Sequence, residues 1–307
     1  MNTLREILAF LIFPGGLFVL AFGLLYEWVY RKLVARLQNR VGPRWFQPFA
    51  DVLKLMSKEE VLPQGVDRFL FVALPLFALA GGLTAVLYIP ILGLRPAYGF
   101  AGDLVATLYL LSLLTVCMGL AGANSRGLFS VIGATRALTQ VFSYEAPFLL
   151  SLLGPAIVAD SWQISRIATY AETHTWMLVT QPIGFVIALI GLMGKLELAP
   201  FDAPEAETEI VAGALTEYSG RGLAIFRLGK AVELVAGLTL IAALYLGGVS
   251  NPLDFLIKTL GLLLVLAIMQ AILTRFRIDQ VVRWWRYGAL LALVQMMIMI
   301  VTIVTRA

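Results

Sequence analysis

Apolar windows of about 20 residues recur along nearly the whole chain, and runs of that length read as helices crossing a bilayer. Eight are found, at Ile7–Val34, Phe69–Leu92, Asp103–Ala123, Ala137–Val158, Trp176–Leu196, Phe226–Leu246, Asp254–Leu273 and Tyr287–Val304. Glu145 and Pro147 interrupt the fourth. Only 14% of the residues are charged, 60% are hydrophobic, and the mean hydropathy is +0.88. A water-soluble domain needs far more surface charge, so lipid is the solvent for most of this chain. The expected fold is all-α: a polytopic membrane protein of about eight transmembrane helices, forming one integral domain over residues 1–307.

The basic residues set the expected orientation. Arg31, Lys32, Arg36, Arg40, Arg44, Lys54, Lys58 and Arg68 lie in the first connection, and Arg126 and Arg136 in the third. Lys195, Arg221, Arg227 and Lys230 flank the fifth, and Arg275, Arg277, Arg283 and Arg286 the seventh. By the positive-inside rule, the connections at about 35–68, 124–136, 197–225 and 274–286 are cytoplasmic and both termini lie outside the cell membrane. This asymmetry accounts for the net charge of +4 and pI of about 9.2 without any nucleic acid. The start, with Arg5 and Glu6 before the apolar run, reads as a retained first helix and not a signal peptide. One cysteine, Cys117, and one histidine, His174, give no disulfide, cysteine-ligated cluster or histidine metal site. The chain is expected to hold no cofactor of its own. Trp28, Trp45, Trp162, Trp176, Trp284 and Trp285 read as interfacial belt residues.

Two cytoplasmic connections are long. In the first, Phe49, Val52, Leu53 and Met56 fall on one helical face with Asp51, Lys54 and Lys58 turned away, which predicts a short amphipathic helix at the membrane surface. Arg40-Val-Gly-Pro43 before it reads as a tight turn. The other long connection carries Asp202, Glu205, Glu207, Glu209 and Glu217. Asp202-Ala-Pro-Glu205 has the form of a helix N-cap with a capping-box glutamate. Capping does not explain the remaining three acids, and Glu205 and Glu209 at i and i+4 would repel on a helix face. Crowded carboxylates favour proton sharing, so a functional acid cluster is the expectation. Within the spans, ionisable groups mark ion paths by default. Glu145 is one; Lys230 and Glu233, three apart on a shared face, form a second candidate relay. For Glu27, four before Arg31, a pair at the helix end is the simpler account. The outside connections are short and carry little chemistry.

Three stretches resemble a known family: Arg31 to Pro63, including ARLQNRVGP and QPFADVLKLMSKEEVLP; ATRALTQVFSYE at 134–145; and APFDAPEAETEIVAGALTEYSG at 199–220. They are similar to the H subunit of respiratory complex I (subunit 1 of the mitochondrial enzyme). They also resemble its relatives in the membrane arms of group 4 nickel–iron (NiFe) hydrogenases and ferredoxin-driven reductases. The resemblance implies a membrane-arm heel seating a peripheral arm, made of a hydrogenase-like large subunit and an iron–sulfur small subunit. It also implies a line of buried charges leading to antiporter-like subunits. Iron–sulfur clusters and a NiFe centre would belong to those partners. Glu145, Asp202, Glu205, Glu207, Glu209, Glu217, Lys230 and Glu233 are the expected coupling residues, and Arg36, Arg40, Arg44, Lys54 and Arg221 the expected docking contacts. Complex I members usually have a longer glycine–proline stretch after RVGP. Here Arg44-Trp45-Phe46 runs straight into QPFADVLKL, which points to the hydrogenase branch and leaves a full quinone chamber in doubt. The alternatives are a quinone-site subunit of a complex I-type enzyme and a stand-alone ion transporter.

Overall fold

The computed structural model describes residues 12–306 other than 14 and 175, so the expected start of the first span at Ile7, with Arg5 and Glu6, lies outside the described residues. Twelve α-helices and one 3-10 turn are found among the described residues, with no strand. They are α1 (Gly16–Leu37), α2 (Gln47–Ser57), α3 (Arg68–Val86), α4 (Asp103–Asn124), α5 (Leu128–Val158) and α6 (Ile164–Thr173). Then come α7 (Met177–Thr180), α8 (Pro182–Lys195), α9 (Glu207–Ile210), α10 (Gly220–Tyr245), α11 (Pro252–Ile272) and α12 (Ile278–Arg306). Six of them, α3, α4, α5, α10, α11 and α12, are long and apolar enough to cross a membrane.

The two other expected spans differ for visible reasons. The described part of α1 carries Glu27, Arg31, Lys32 and Arg36 in its second half, so its apolar stretch is cut short. The fifth expected span is divided at Gln181, whose backbone is not helical, ahead of Pro182. What remains, α8, has 14 residues. At about 1.5 Å per residue it is shorter than the roughly 30 Å hydrocarbon layer. Boundaries also move: α10 begins at Gly220 and α12 at Ile278, ahead of the expected Phe226 and Tyr287, because Arg221, Arg227, Arg283 and Arg286 lower the apolar signal of helical turns. The helix α3 stops at Val86, ahead of Pro90, which disfavours helix in the residue before it. The helix α5 begins at Leu128, nine residues before the apolar window, because its first turns are rich in Ser, Thr and Arg.

The core is α10, whose residues from Ala231 to Tyr245 are all buried. It packs on α1, α3, α8 and α11. Small residues make those approaches close: a Cβ on Gly23 of α1 would lie 2.7 Å from the Ala231 carbonyl oxygen. Polar bonds pin α11 to α1, where the Tyr26 and Thr259 hydroxyls are 2.6 Å apart.

The odd-numbered connections meet at one end of the bundle. Val61 N–H reaches Ser219 Oγ, Arg275 reaches Asp202, and Arg136 reaches Glu209. The even-numbered ones meet at the other. There Asp103 Oδ1 accepts from the Ile164 N–H at 2.7 Å, capping α6, an amphipathic helix in a connection expected to carry little. At the basic end α2 is the expected amphipathic helix, with a different inner face. Phe49 and Val52 pack against Leu24, Leu228 and Ala231, and Leu55 is buried, whereas Leu53 and Met56 are exposed. Asp51 is drawn inward by Arg31 at 3.6 Å, which rotates the helix from the face expected on hydropathy. Trp45, Trp162 and Trp176 are exposed, as belt residues should be, but Trp285 is not. It is 1% exposed, packed under Phe201 and beside Tyr144.

The long acidic connection is seated on α5 through two glycines. Gly213 has φ +55° and lies under the Pro204 carbonyl, and a Cβ on Gly133 would sit 2.3 Å from the Ala214 nitrogen. Gly133→Ala is therefore expected to lift the connection from α5 at a cost on the order of 1–3 kcal/mol. Protease cleavage within 202–218 of the purified protein, faster in the variant, checks it; unchanged cleavage would mean that the seat yields without cost.

Candidate functional site

The charged residues of the acidic connection do not form one cluster. Asp202 is held by Arg275, with Nε donating to Oδ1 at 2.8 Å and Nη2 to Oδ2 at 2.6 Å. Glu209 is held by Arg136, whose Nη1 donates to it at 2.8 Å and to the Ala203 carbonyl at 3.3 Å. Glu205 accepts from Lys230. The predicted capping box is thus absent: α9 starts only at Glu207, its N-cap Ala206 offers no side chain, and both supposed capping acids are bound to cations instead. Glu205 and Glu209 share no helix face, and each is bound to its own cation, Lys230 and Arg136. The Arg136 hydrogen bond and charge hold the exposed Glu209 carboxyl below the usual carboxylate range. Glu207 is exposed at the rim of a cavity described below. Glu217 faces the start of α5, close to Gly127, while its neighbour Tyr218 anchors the connection by stacking on Phe71, with centroids 4.0 Å apart.

Asp202 and Arg275 form a two-bond latch between the acidic connection and the segment leading into α12. Charge-assisted bonds of this kind contribute roughly 1.5–3 kcal/mol. Asp202→Ala is expected to raise local opening of the connection by about tenfold or more, read by hydrogen exchange of residues 202–210. Wild-type protection in that variant would show the latch to be energetically idle.

Inside the bundle the ionisable residues fall into two groups joined by one buried acid. In the first, Lys230 Nζ lies 2.7 Å from Glu197 Oε2 and also bonds Glu205. The Glu197 side chain is 1% exposed, and burial raises its carboxyl above the usual range against the pull of Lys230. In the second, Lys195 Nζ donates to Ser112 Oγ at 2.9 Å and stands 3.7 Å from Glu145 Oε2, while Ser112 also bonds Glu145. The Lys195 side chain is fully buried, with its ammonium 5.6 Å from the ring centres of both Tyr144 and Phe148. Glu233, buried on α10, has Lys195, Glu197, Lys230 and Glu145 as its charged neighbours, and among the described residues neither of its oxygens has a hydrogen-bond partner. The expected Lys230–Glu233 pair is not formed. Lys230 turns toward Glu197 and Glu205, which lie nearer the basic end, and leaves Glu233 facing the interior.

A cavity of about 410 Å³ opens beside the first group, lined by Glu27, Tyr30, Glu197, Glu205, Arg227 and Lys230 among others. Glu27 is paired with Arg31 at 3.4 Å, as the i,i+4 spacing suggested. Arg36, Arg40, Arg44, Lys54 and Arg221 are all exposed, and none of them is ion-paired among the described residues. Glu197, Ser112 and the role of Lys195 could not be picked out from the sequence. Glu197 stands in an alternating Lys-Leu-Glu at the end of an apolar window, where it resembles an ordinary helix-end charge. Ser112 lies 83 residues from its lysine partner, and no local pattern marks it.

The NADH dehydrogenase family matches residues 9–300. The H subunit of the NADH-quinone oxidoreductase of Bacillus thuringiensis (strain Al Hakam) is 36% identical over 259 residues, spanning 81% of this chain and 75% of the relative. The same figures hold for the corresponding H subunit of Bacillus cereus (strain AH187). Among solved structures, a chain of the membrane-bound sulfane sulfur reductase, an archaeal respiratory membrane complex, superposes with a TM-score of 0.85. That match covers 97% of this chain and 99% of the other at 22% identity, which supports a shared fold. With the helical bundle, the acidic connection and the buried charges in place, these matches show that the chain is an integral membrane protein belonging to the NADH dehydrogenase family, to which it is related through the H subunit of NADH-quinone oxidoreductase.

Proposed function

We propose that this chain is the membrane-arm heel subunit of a multi-subunit, membrane-bound oxidoreductase of the group 4 hydrogenase or ferredoxin-driven kind. It seats a peripheral arm at its basic end and couples that arm's electron transfer to proton or sodium translocation. One observation carries the reading: the series Glu205–Lys230–Glu197, Glu233 and Lys195–Ser112–Glu145 runs from an open cavity into the helix bundle. Charges are placed in a bilayer at high cost, and a connected series of them serves movement of ions. The basic end faces the cytoplasm on the positive-inside rule, and its exposed Arg36, Arg40, Arg44, Lys54 and Arg221, without an ion pair among the described residues, suit contact with an acidic peripheral surface. Electron transfer belongs to iron–sulfur and nickel–iron centres in the partner subunits, and antiporter-like subunits continue the ion route in the membrane. The short passage from Arg44 into α2 favours the hydrogenase branch.

A mild-detergent pulldown of the tagged chain tests this reading, with nickel, iron and quinone quantified in the complex and hydrogen evolution assayed. Nickel with hydrogen evolution supports the hydrogenase reading. Iron without nickel or quinone, with reduction of a sulfur compound, points to a related reductase. Recovery of the chain alone, without iron, overturns the assignment. A second reading, a complex I-type quinone site, is favoured by the cavity, whose volume of about 410 Å³ falls within the usual range for small-molecule sites. Bound quinone in the same pulldown would support it.

A further inference from the structure

We propose that the Ser112 hydroxyl is the proton bridge between Lys195 and Glu145. This rests on the coupling function proposed above and assigns a chemical part to Ser112, which that series contains only as a contact. Lys195 Nζ and Glu145 Oε2 stand 3.7 Å apart, too far for a hydrogen bond and thus for direct proton transfer. Ser112, on α4, fills the gap: its oxygen accepts from Lys195 at 2.9 Å and it is bonded to Glu145 Oε1. Ser112 and Glu145 stand on α4 and α5, two helices long and apolar enough to cross a membrane, and Lys195 ends α8; Ser112 is 7% exposed and Lys195 1%.

A serine hydroxyl has a single proton. Two acceptors compete for it here, Glu145 Oε1 and the Leu108 carbonyl oxygen at 2.9 Å. With the proton toward Glu145, the three groups form an unbroken chain. With the proton toward Leu108, the chain is open, and the hydroxyl can accept from a protonated Glu145. In the transfer step, the Lys195 ammonium gives a proton to Ser112 Oγ as the serine proton moves to Glu145. The ammonium becomes an amine, the carboxylate becomes a carboxylic acid, and serine ends with the one proton it began with. Both ends are neutral after the step, which suits a buried, low-dielectric site. The groups facing the bridge are Lys195 from α8, Glu145 and Tyr144 from α5 and, further off, Glu233 from α10. Glu233 is thereby placed to return a proton to the Lys195 amine.

The test uses the assembled complex in sealed vesicles, comparing Ser112→Ala, Ser112→Thr and Glu145→Gln for proton uptake per turnover. It also reads the infrared carboxyl band assigned to Glu145. Ser112→Ala is expected to cut proton uptake at least about tenfold and to move the Glu145 band, while Ser112→Thr keeps both near wild type. Wild-type uptake in Ser112→Ala overturns the bridge, as does an equal loss in Ser112→Thr, which would reduce Ser112 to packing. If Glu145→Gln abolishes uptake and Ser112→Ala does not, the bridge alone fails. If Glu145→Gln is also silent, the coupling function fails with it. Should Ser112→Ala not assemble, Ser112→Cys preserves volume with a weak donor, and an unmoved Glu145 band in that variant counts against the bridge.

Discussion

Glu233→Leu should leave the protein as stable as the wild type, or more so, while cutting ion translocation by about a hundredfold, the low end of what a positioned proton-transfer group contributes. The two halves of this expectation come from the same geometry. Glu233 is buried near the middle of α10, and neither carboxyl oxygen is hydrogen-bonded to any described residue. A buried polar group left without a partner costs roughly 1–3 kcal/mol, so an apolar side chain of similar size relieves the fold. The use of Glu233 lies in its charged neighbours, since Lys230 and Glu197 approach from one group and Lys195 and Glu145 from the other. Without it, the two groups have no titratable link. Thermal unfolding of the purified complex reads the first half, and vesicle acidification per turnover reads the second. A variant that unfolds more readily yet translocates normally would make Glu233 a structural residue and break the proposed route in two.

The helices were legible because lipid permits few solutions: a window of apolar residues must be a helix, and connections rich in Arg and Lys gather at one end. The helices α4 and α11 accordingly lie close to their expected windows. The correspondence breaks where hydropathy and helicity part company. The first turns of α5 contain Thr135, Arg136 and Thr139, which lower the apolar signal but are good neighbours for a helix end at the interface. The Thr139 hydroxyl bonds back to the Thr135 carbonyl of its own helix. In α8 the converse occurs, since an apolar run is divided by a proline that hydropathy does not register.

The candidate site was legible as a set of residue types and much less as a set of partners. Asp202, Glu205 and Glu209 stood out as acids, but their cations lie 73, 25 and 73 residues away, at Arg275, Lys230 and Arg136. Neighbours in sequence suggest only local partners, hence a capping box and mutual repulsion. The same limit explains the Lys230–Glu233 pair, which helical spacing permits but which Glu197 pre-empts. Glu145 was singled out correctly as an acid inside a span, yet the features that define its chemistry, Lys195 and Ser112, are brought to it by two other helices.

Lys230→Met is expected to destabilise the protein by about 3–5 kcal/mol, because it removes the cation from a buried ion pair and leaves the acid behind. Glu197 is the residue at stake. Its side chain is 1% exposed, its bond to Lys230 is 2.7 Å, and Lys230 is the largest influence opposing the rise that burial imposes on its carboxyl. Without Lys230 that carboxyl rises further above the usual range. The pH dependence follows from the direction of the shift. A folded-state carboxyl raised above its unfolded value binds a proton that the unfolded chain has already lost. Stability is therefore retained below the ordinary carboxylate range and falls as pH climbs through the raised value. The variant should lose least at low pH and progressively more as pH rises above the ordinary carboxylate range, and unfolding transitions of the purified complex at several pH values measure this. Adding Glu197→Gln to Lys230→Met should recover a large part of the loss at high pH and little at low pH, because the amide carries no charge to strand. If the single variant is equally destabilised at every pH, or the double variant recovers nothing, the cost of losing Lys230 lies in packing against the cavity wall. Recovery confined to high pH instead shows that the cost is the stranded Glu197 charge, and that charge attraction holds the pair beside the open cavity.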